Sequence, residues 1–125
     1  MKTNYTIEEW TSNDGLFDDV PAHRVGAVVD ALNYTLVWVE RILSTGVDDV
    51  LDYSILPIIV MTIVTIIDVS ESELDKILND AYLQYGDFMI ARRKFHRSEL
   101  EVESEFTQLF CEKVIKKHAN RLQLN

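Results

Sequence analysis

Hydrophobic residues are most concentrated between Ile55 and Ile67, where thirteen consecutive residues are apolar except for two threonines. Ten of the thirteen are β-branched, which favours a strand. Their number exceeds the usual length of a strand, however, and Pro57 would remove a hydrogen bond from a sheet. Ser54 followed by proline in the first turn is typical of a helix start. We therefore predict a buried central helix over residues 55–68.

Apolar residues recur at helical spacing on both sides of this segment. Steps of three and four predict a long helix from Pro21 to Ser44, with Asp18 or Asp19 as its cap and Gly46 as its end. A second predicted helix follows Ser70 and is closed by Gly86, after which Asp87 caps a short helix. The last predicted helix begins after Ser98 and runs for about 24 residues.

These elements predict one all-α domain over residues 1–125, a compact bundle of about five to seven helices around the central one. Three capping-box patterns support this fold class, because Thr6, Ser70 and Ser98 each precede a glutamate by three positions. The segment 47–53 is predicted to be a short helix or turn between the two apolar helices.

Composition also predicts the cellular compartment of the protein. The thirteen apolar residues are too few to cross a bilayer, which takes roughly 20, and the N-terminal residues contain no signal-peptide core. Cys111 is the single cysteine, so no disulfide can form within the chain. A cytoplasmic protein is the expectation, since that compartment keeps thiols reduced.

Residues that could carry catalysis are scattered. His23, His96 and His118 lie far apart in sequence, and none has a carboxylate or cysteine at ligand spacing. Cys111 lies among apolar residues of the last helix, which favours a core position over a nucleophile. The four glycines are isolated, so no phosphate-binding loop is visible. We expect no catalytic residues, no metal site and no cofactor, and hence not an enzyme.

Charge is distributed unevenly along the chain. Residues 1–91 contain sixteen acidic and four basic side chains, and residues 92–125 contain five acidic and eight basic ones, for a net charge of −9. The acidic excess exceeds what solubility and helix N-termini need. We therefore predict that acidic turns bind a partner with a basic surface. The candidate binding residues are Asp14, Asp18, Asp19, Asp48, Asp49 and Asp52.

A cluster of positive charge follows the acidic region. Arg92, Arg93, Lys94 and Arg97 surround Phe95, a combination that could bind phosphate or stack on nucleic-acid bases. The cluster is small for a chain of this net charge, so we favour a solvated junction that pairs with the protein's own acidic residues. Neither direct nucleic-acid binding nor membrane binding is expected.

The function predicted from these features is that of a small acidic binding protein or toxin inhibitor. An immunity protein (antitoxin) that neutralises a cationic toxin such as a nuclease fits the features best, because it would act through a protein–protein interaction without an active site. A phage-type nucleic-acid mimic or regulator that blocks a defence or transcription protein is the alternative, followed by a non-catalytic scaffold or subunit. The sequence leaves the oligomeric state and the partner's identity open.

Overall fold

The structure, a computed structural model, describes residues 2–12, 15–46 and 54–123, and of residues 119–123 it describes only the backbone. In these ranges the chain is helical and contains no strand. The five α-helices are α1 (Ile7–Thr11), α2 (Val25–Leu43), α3 (Ile55–Ile66), α4 (Glu71–Arg93) and α5 (Glu99–Gln123). A short 3-10 helix, Ala22–Arg24, leads directly into α2. The predicted all-α bundle is confirmed.

Helix α3 is the predicted central element, and it packs most extensively against α2, then α5 and α4. Its inward side chains, such as Ile59, Val60 and Ile63, are among the least exposed in the described chain. The helix ends at Ile66, slightly before the predicted boundary, because Ile67 is extended. Ile58 is 55% exposed, so one side of α3 meets solvent. The prediction of a helix rather than a strand is confirmed.

The long helix predicted from Pro21 to Ser44 is also confirmed, as the 3-10 turn followed by α2. Neither start is capped by a side chain, so the prediction that Asp18 or Asp19 caps this helix is wrong. Pro21 itself occupies the cap position of the 3-10 helix. Gly46 has φ +75°, the left-handed conformation expected just past a helix end.

Helix α4 differs from its prediction, because it runs unbroken through Gly86 and Asp87 to Arg93. A glycine within a helix costs only about 1 kcal/mol relative to alanine. The side chains that flank it, Tyr85 and Phe88, pack on Phe106 at ring-centroid distances of 5.3 and 5.4 Å. This packing holds the helix together where the local signal predicted an end. The turn at residues 94–98 then reverses the chain into α5, whose length agrees with the prediction.

The three predicted capping patterns differ in completeness. Thr6 and Glu9 form the full reciprocal box at the start of α1. Ser70 and Ser98 each accept a hydrogen bond, at 3.2 Å, from the backbone N–H three residues later. In every case the serine or threonine satisfies one of the four N–H groups that a helix start leaves unpaired.

Arg24 fastens the start of α2 to the end of α3. Its guanidinium donates to the carbonyl of Val64, at 3.1 Å from Nε and 2.6 Å from Nη2, and to that of Ile67 at 2.7 Å. It also pairs with Asp68 at 2.5 Å. Val64 lies in the last turn of α3 and Ile67 directly follows the helix, so the helix itself supplies neither carbonyl with a donor. Arg24 is one of only four basic side chains in residues 1–91. Its hydrogen bonds make it a cap for the C-terminal end of α3.

Candidate functional site

Of the six aspartates predicted to bind a partner, the structure describes two. Asp18 and Asp19 lie exposed in the turn that precedes Pro21. The other four, Asp14, Asp48, Asp49 and Asp52, lie outside the described residues.

The turn that carries Asp18 and Asp19 is anchored on both sides. Phe17 and Val20 are partly buried and pack against the hydrophobic core. Two backbone hydrogen bonds, from Asp18 N to Gly15 O at 3.3 Å and from Val20 N to Phe17 O at 3.1 Å, fold the segment. Gly15 has φ +75°, a conformation that glycine adopts without strain. The two carboxylates therefore project from a fixed turn beside the start of α2.

Acidic side chains outside the predicted set converge on one groove. It lies between the first half of α2 and the junction of α3 with α4, and its volume is about 440 Å³. Its apolar lining comes from Ala27, Ala31, Val64, Val69 and Leu74. The charged side chains of the lining are all carboxylates: Asp30, Asp68, Glu71 and Glu73. We refer to this feature as the acidic groove.

The four carboxylates of the acidic groove are not equivalent. Asp30 and Glu71 are exposed, and neither forms an ion pair with any residue that the structure describes. Asp68 is paired with Arg24, although 89% of its side chain is exposed. Glu73 lies 2.6 Å from the ring of His118. Asp30 and Glu71 are thus the groove's carboxylates most available to an incoming cation.

Tyr34 also lines the acidic groove. Its hydroxyl donates to Asp75 Oδ1 at 2.5 Å. This hydrogen bond to Asp75 is the largest cause that raises the pKa of Tyr34, and desolvation by burial adds to it. The hydroxyl therefore stays protonated and oriented at neutral pH, and it is committed to α4 rather than to the groove's interior.

A second groove, of about 280 Å³, lies between α4 and α5. Its apolar lining comes from Ile77, Phe110 and Val114, and three of the chain's six lysines line it as well: Lys76, Lys113 and Lys117. His118 lines this groove too. Its Nε2 lies 2.6 Å from Glu73 Oε2, and its Nδ1 lies 3.1 Å from the carbonyl of Val114.

Sequence reasoning missed the contact of His118 with Glu73. The two residues are 45 positions apart and meet only because α4 and α5 are antiparallel. Among the described residues, no serine, threonine or cysteine lines this groove. The hydroxyl of Ser70, which lines the acidic groove, donates to Glu73 Oε1 at 3.2 Å, so it bonds the carboxylate and not the ring that would activate it as a nucleophile. The contact of Glu73 with His118 links the start of α4 to the last third of α5.

The basic cluster divides into two parts. Glu105 accepts hydrogen bonds from both Arg92, at 3.0 Å, and Arg97. Arg97 also lies 3.6 Å from Glu101. The prediction that the cluster pairs with the protein's own acidic residues is confirmed for these two arginines. Arg93 and Lys94 are exposed and form no ion pair with the described part of the chain.

Cys111 occupies the core position predicted for it. Its side chain is 3% exposed, and its thiol lies 3.7 Å from the carbonyl of Ile59. Burial raises the pKa of this thiol to about 11, which leaves it protonated and unreactive at neutral pH. Within the described ranges, no three or more histidine, cysteine, aspartate or glutamate side chains are placed to share a metal ion.

Comparisons with known proteins give no family assignment. No family model, no curated protein and no solved structure matches the chain. None of the helices in the described ranges combines the length and the hydropathy that a membrane span requires.

Proposed function

We propose that this chain is a small acidic binding protein that inhibits a partner by covering its basic surface, as an immunity protein does with a cationic toxin such as a nuclease. The observation that carries the proposal is the acidic groove, in which Asp30, Asp68, Glu71 and Glu73 supply all the charge of the lining. The exposed pair Asp18 and Asp19 precedes the N-terminal half of α2, which also lines the acidic groove.

The acidic groove suits a lysine or arginine side chain of the partner. Such side chains place a long aliphatic stem against apolar surface and keep a charged head at its edge. Ala27 and Ala31 are small and leave room for the stem beside Val69. Asp30 and Glu71 then accept hydrogen bonds from the charged head, and bonds of this charge-assisted kind are about twice as strong as neutral ones.

Electrostatics would also govern how fast such a complex forms. The net charge of −9 attracts a cationic partner before contact, so association is accelerated and the acceleration falls as salt is added. A nuclease whose basic substrate site is covered in this way loses access to nucleic acid. Inhibition therefore needs no catalytic group in the inhibitor.

The proposal is tested by capture from the native host. The immobilised chain is exposed to host extract, bound proteins are released by rising salt, and the purified partner's activity is titrated with the chain. We expect a basic partner that is inhibited at a stoichiometric ratio and that dissociates as salt rises. A partner that is held equally well at high salt, or that is bound without loss of activity, would refute the proposal.

Two neutralised variants of equal net charge locate the site. The binding set combines the exposed turn with the acidic groove: Asp18→Asn, Asp19→Asn, Asp30→Asn and Glu71→Gln. It should slow association and weaken inhibition at least about tenfold. The control set neutralises four exposed acids elsewhere: Glu8→Gln, Asp87→Asn, Glu99→Gln and Glu112→Gln. Equal loss in the two sets would assign the effect to overall charge. The set Asp48→Asn, Asp49→Asn and Asp52→Asn tests the sequence-predicted turn separately.

A further inference from the structure

The turn between α4 and α5 presents positive charge and apolar surface together. Arg93, Lys94, Phe95 and His96 are all exposed, and Phe95 is 67% exposed. We refer to these four residues as the basic tip. His96 has φ +54°, a left-handed conformation that reverses the chain direction here. The tip therefore offers a partner two cations and one apolar ring on the same turn.

Ion pairs to α5 fix both ends of the basic tip. Arg92 and Arg97, on either side of it, both bind Glu105 of α5, and Arg92 also lies 5.0 Å from the ring centroid of Phe88. Two backbone hydrogen bonds, Phe95 N to Arg92 O at 3.0 Å and His96 N to Arg93 O at 3.1 Å, close the turn. Little backbone entropy is therefore lost when the tip binds.

The acidic groove is the surface of this chain that complements the basic tip. Its charged lining is entirely carboxylate, and its apolar residues could cover a side chain such as Phe95. The groove includes Ser70 and Glu71 at the start of α4, whereas the tip follows the end of α4 at Arg93. A helix of 23 residues separates them by about 35 Å, at 1.5 Å per residue. The tip therefore cannot enter the groove of its own chain.

We propose that the basic tip of one molecule docks in the acidic groove of a second copy. Arg93 and Lys94 would approach Asp30 and Glu71, the two groove carboxylates that have no ion pair among the described residues. The contact joins two different surfaces, so the association is head-to-tail and either grows into a chain or closes into a ring. It also places the tip where the partner's basic side chain is proposed to bind, so the two contacts compete.

Two variants separate the surfaces. The tip variant carries Arg93→Glu and Lys94→Glu, and the groove variant carries Asp30→Asn and Glu71→Gln. Sedimentation of the full chain from micromolar to millimolar concentration, at salt on the order of 0.05 and 0.5 M, measures self-association. At either salt concentration we expect each variant to associate at least about tenfold more weakly than the wild type. Two copies of net charge −9 repel each other, and salt screens this repulsion as well as the proposed contact, so variants and wild type are compared at equal salt. The groove variant is the sharper test, because it carries less negative charge and should nevertheless associate more weakly.

Mixing the variants gives the sharpest result. The tip variant retains an intact groove and the groove variant an intact tip, so an equimolar mixture has one working contact per pair. We expect a 1:1 complex that grows no further. A control with Lys76→Glu and Lys116→Glu has the same charge change at exposed lysines outside the tip and should associate like the wild type.

Several outcomes would overturn self-association through these surfaces. A wild type that stays monomeric at millimolar concentration would overturn it, even if the tip then binds a DNA oligonucleotide or vesicles of anionic lipid. Association that survives both variants would assign the contact to an apolar face instead. The proposed inhibition is judged separately, because the tip variant keeps the acidic groove and should still bind the basic partner.

Discussion

Replacing Arg24 should cost more stability than replacing any of the exposed cations. Arg24→Met removes the donors to two carbonyls at the end of α3, that of Val64 in its last turn and that of Ile67 just after it. The side chain of Arg24 is only 14% exposed, so water replaces these hydrogen bonds incompletely.

The size of the effect follows from the two carbonyls. A buried acceptor left without a donor costs about 1–3 kcal/mol. The ion pair with Asp68 adds little, since that carboxylate is 89% exposed and exposed pairs contribute about 0–1 kcal/mol. We therefore expect Arg24→Met to lower the free energy of unfolding by roughly 2–6 kcal/mol. Arg24→Lys should lose about half as much, because an ammonium lacks the planar fork that reaches several acceptors.

Urea unfolding followed by far-ultraviolet circular dichroism measures this loss. Asp68→Asn is the matched control, because it removes the ion pair and leaves the bonds from Arg24 to the carbonyls in place. It should cost at most about 1 kcal/mol. If Arg24→Met unfolded at the wild-type urea concentration, or if Asp68→Asn were equally damaging, Arg24 would not act as the cap of α3.

Two further predictions concern the core. Ile63 is 1% exposed and Ile58 is 55% exposed on the same helix. Ile63→Asp should therefore unfold or precipitate the protein, at a cost of several kcal/mol, whereas Ile58→Asp should melt nearly as the wild type does. Similar melting of the two variants would contradict the assigned faces of α3. Cys111 should resist iodoacetamide in the native protein and react once urea is added, because burial raises its pKa from 9.0 to about 11. The buried neutral thiol stabilises the fold fully below pH 9, and this contribution is lost as the pH rises towards 11. Rapid labelling of the native protein would mean that Cys111 is accessible.

The character of α3 was predictable because the evidence for a helix was local. Its residues are mostly β-branched, yet Pro57 in the first turn and the length of the apolar run opposed a strand. The hydroxyls of Thr62 and Thr65 donate to the carbonyls of Ile58 and Met61, at 2.8 and 2.7 Å. These bonds let a helix carry threonine without unpaired groups.

The end of α4 was not predictable, because the residues that decide it are distant in sequence. Gly86 and Asp87 are a normal helix end followed by a normal helix start. Phe106 of α5 packs against Tyr85 and Phe88 on both sides of that point. A local pattern has no information on this contact, which forms only once the chain has reversed at residues 94–98.

The acidic groove was missed for a related reason. Asp30 interrupts an apolar stretch of α2 and Asp68 ends the apolar run of α3. They line one groove because α2 packs along α3 in the core, with Arg24 bonded to the end of α3. Runs of adjacent acids such as Asp18 and Asp19 are visible in a sequence, whereas single acids brought together by helix packing are not.

Part of the charge asymmetry has a purely structural cause. Glu71 and Glu73 lie in the first turn of α4, and Arg92 and Arg93 lie in its last turn, where each sign is favoured by the helix dipole. That effect is worth about 0.3–1 kcal/mol and fades within one turn. It therefore does not account for Asp30, which is six residues into α2.

Asp30 is accordingly the residue that best separates binding from stability. It is exposed, caps no helix and forms no ion pair with a described residue. Neutralising Glu71 alters both the dipole interaction of α4 and the charge of the acidic groove, so a weaker complex could arise from either. Asp30→Asn changes the groove alone. A loss of affinity in this variant at unchanged stability belongs to the binding surface, and its salt dependence distinguishes a lost ion pair from a lost apolar contact.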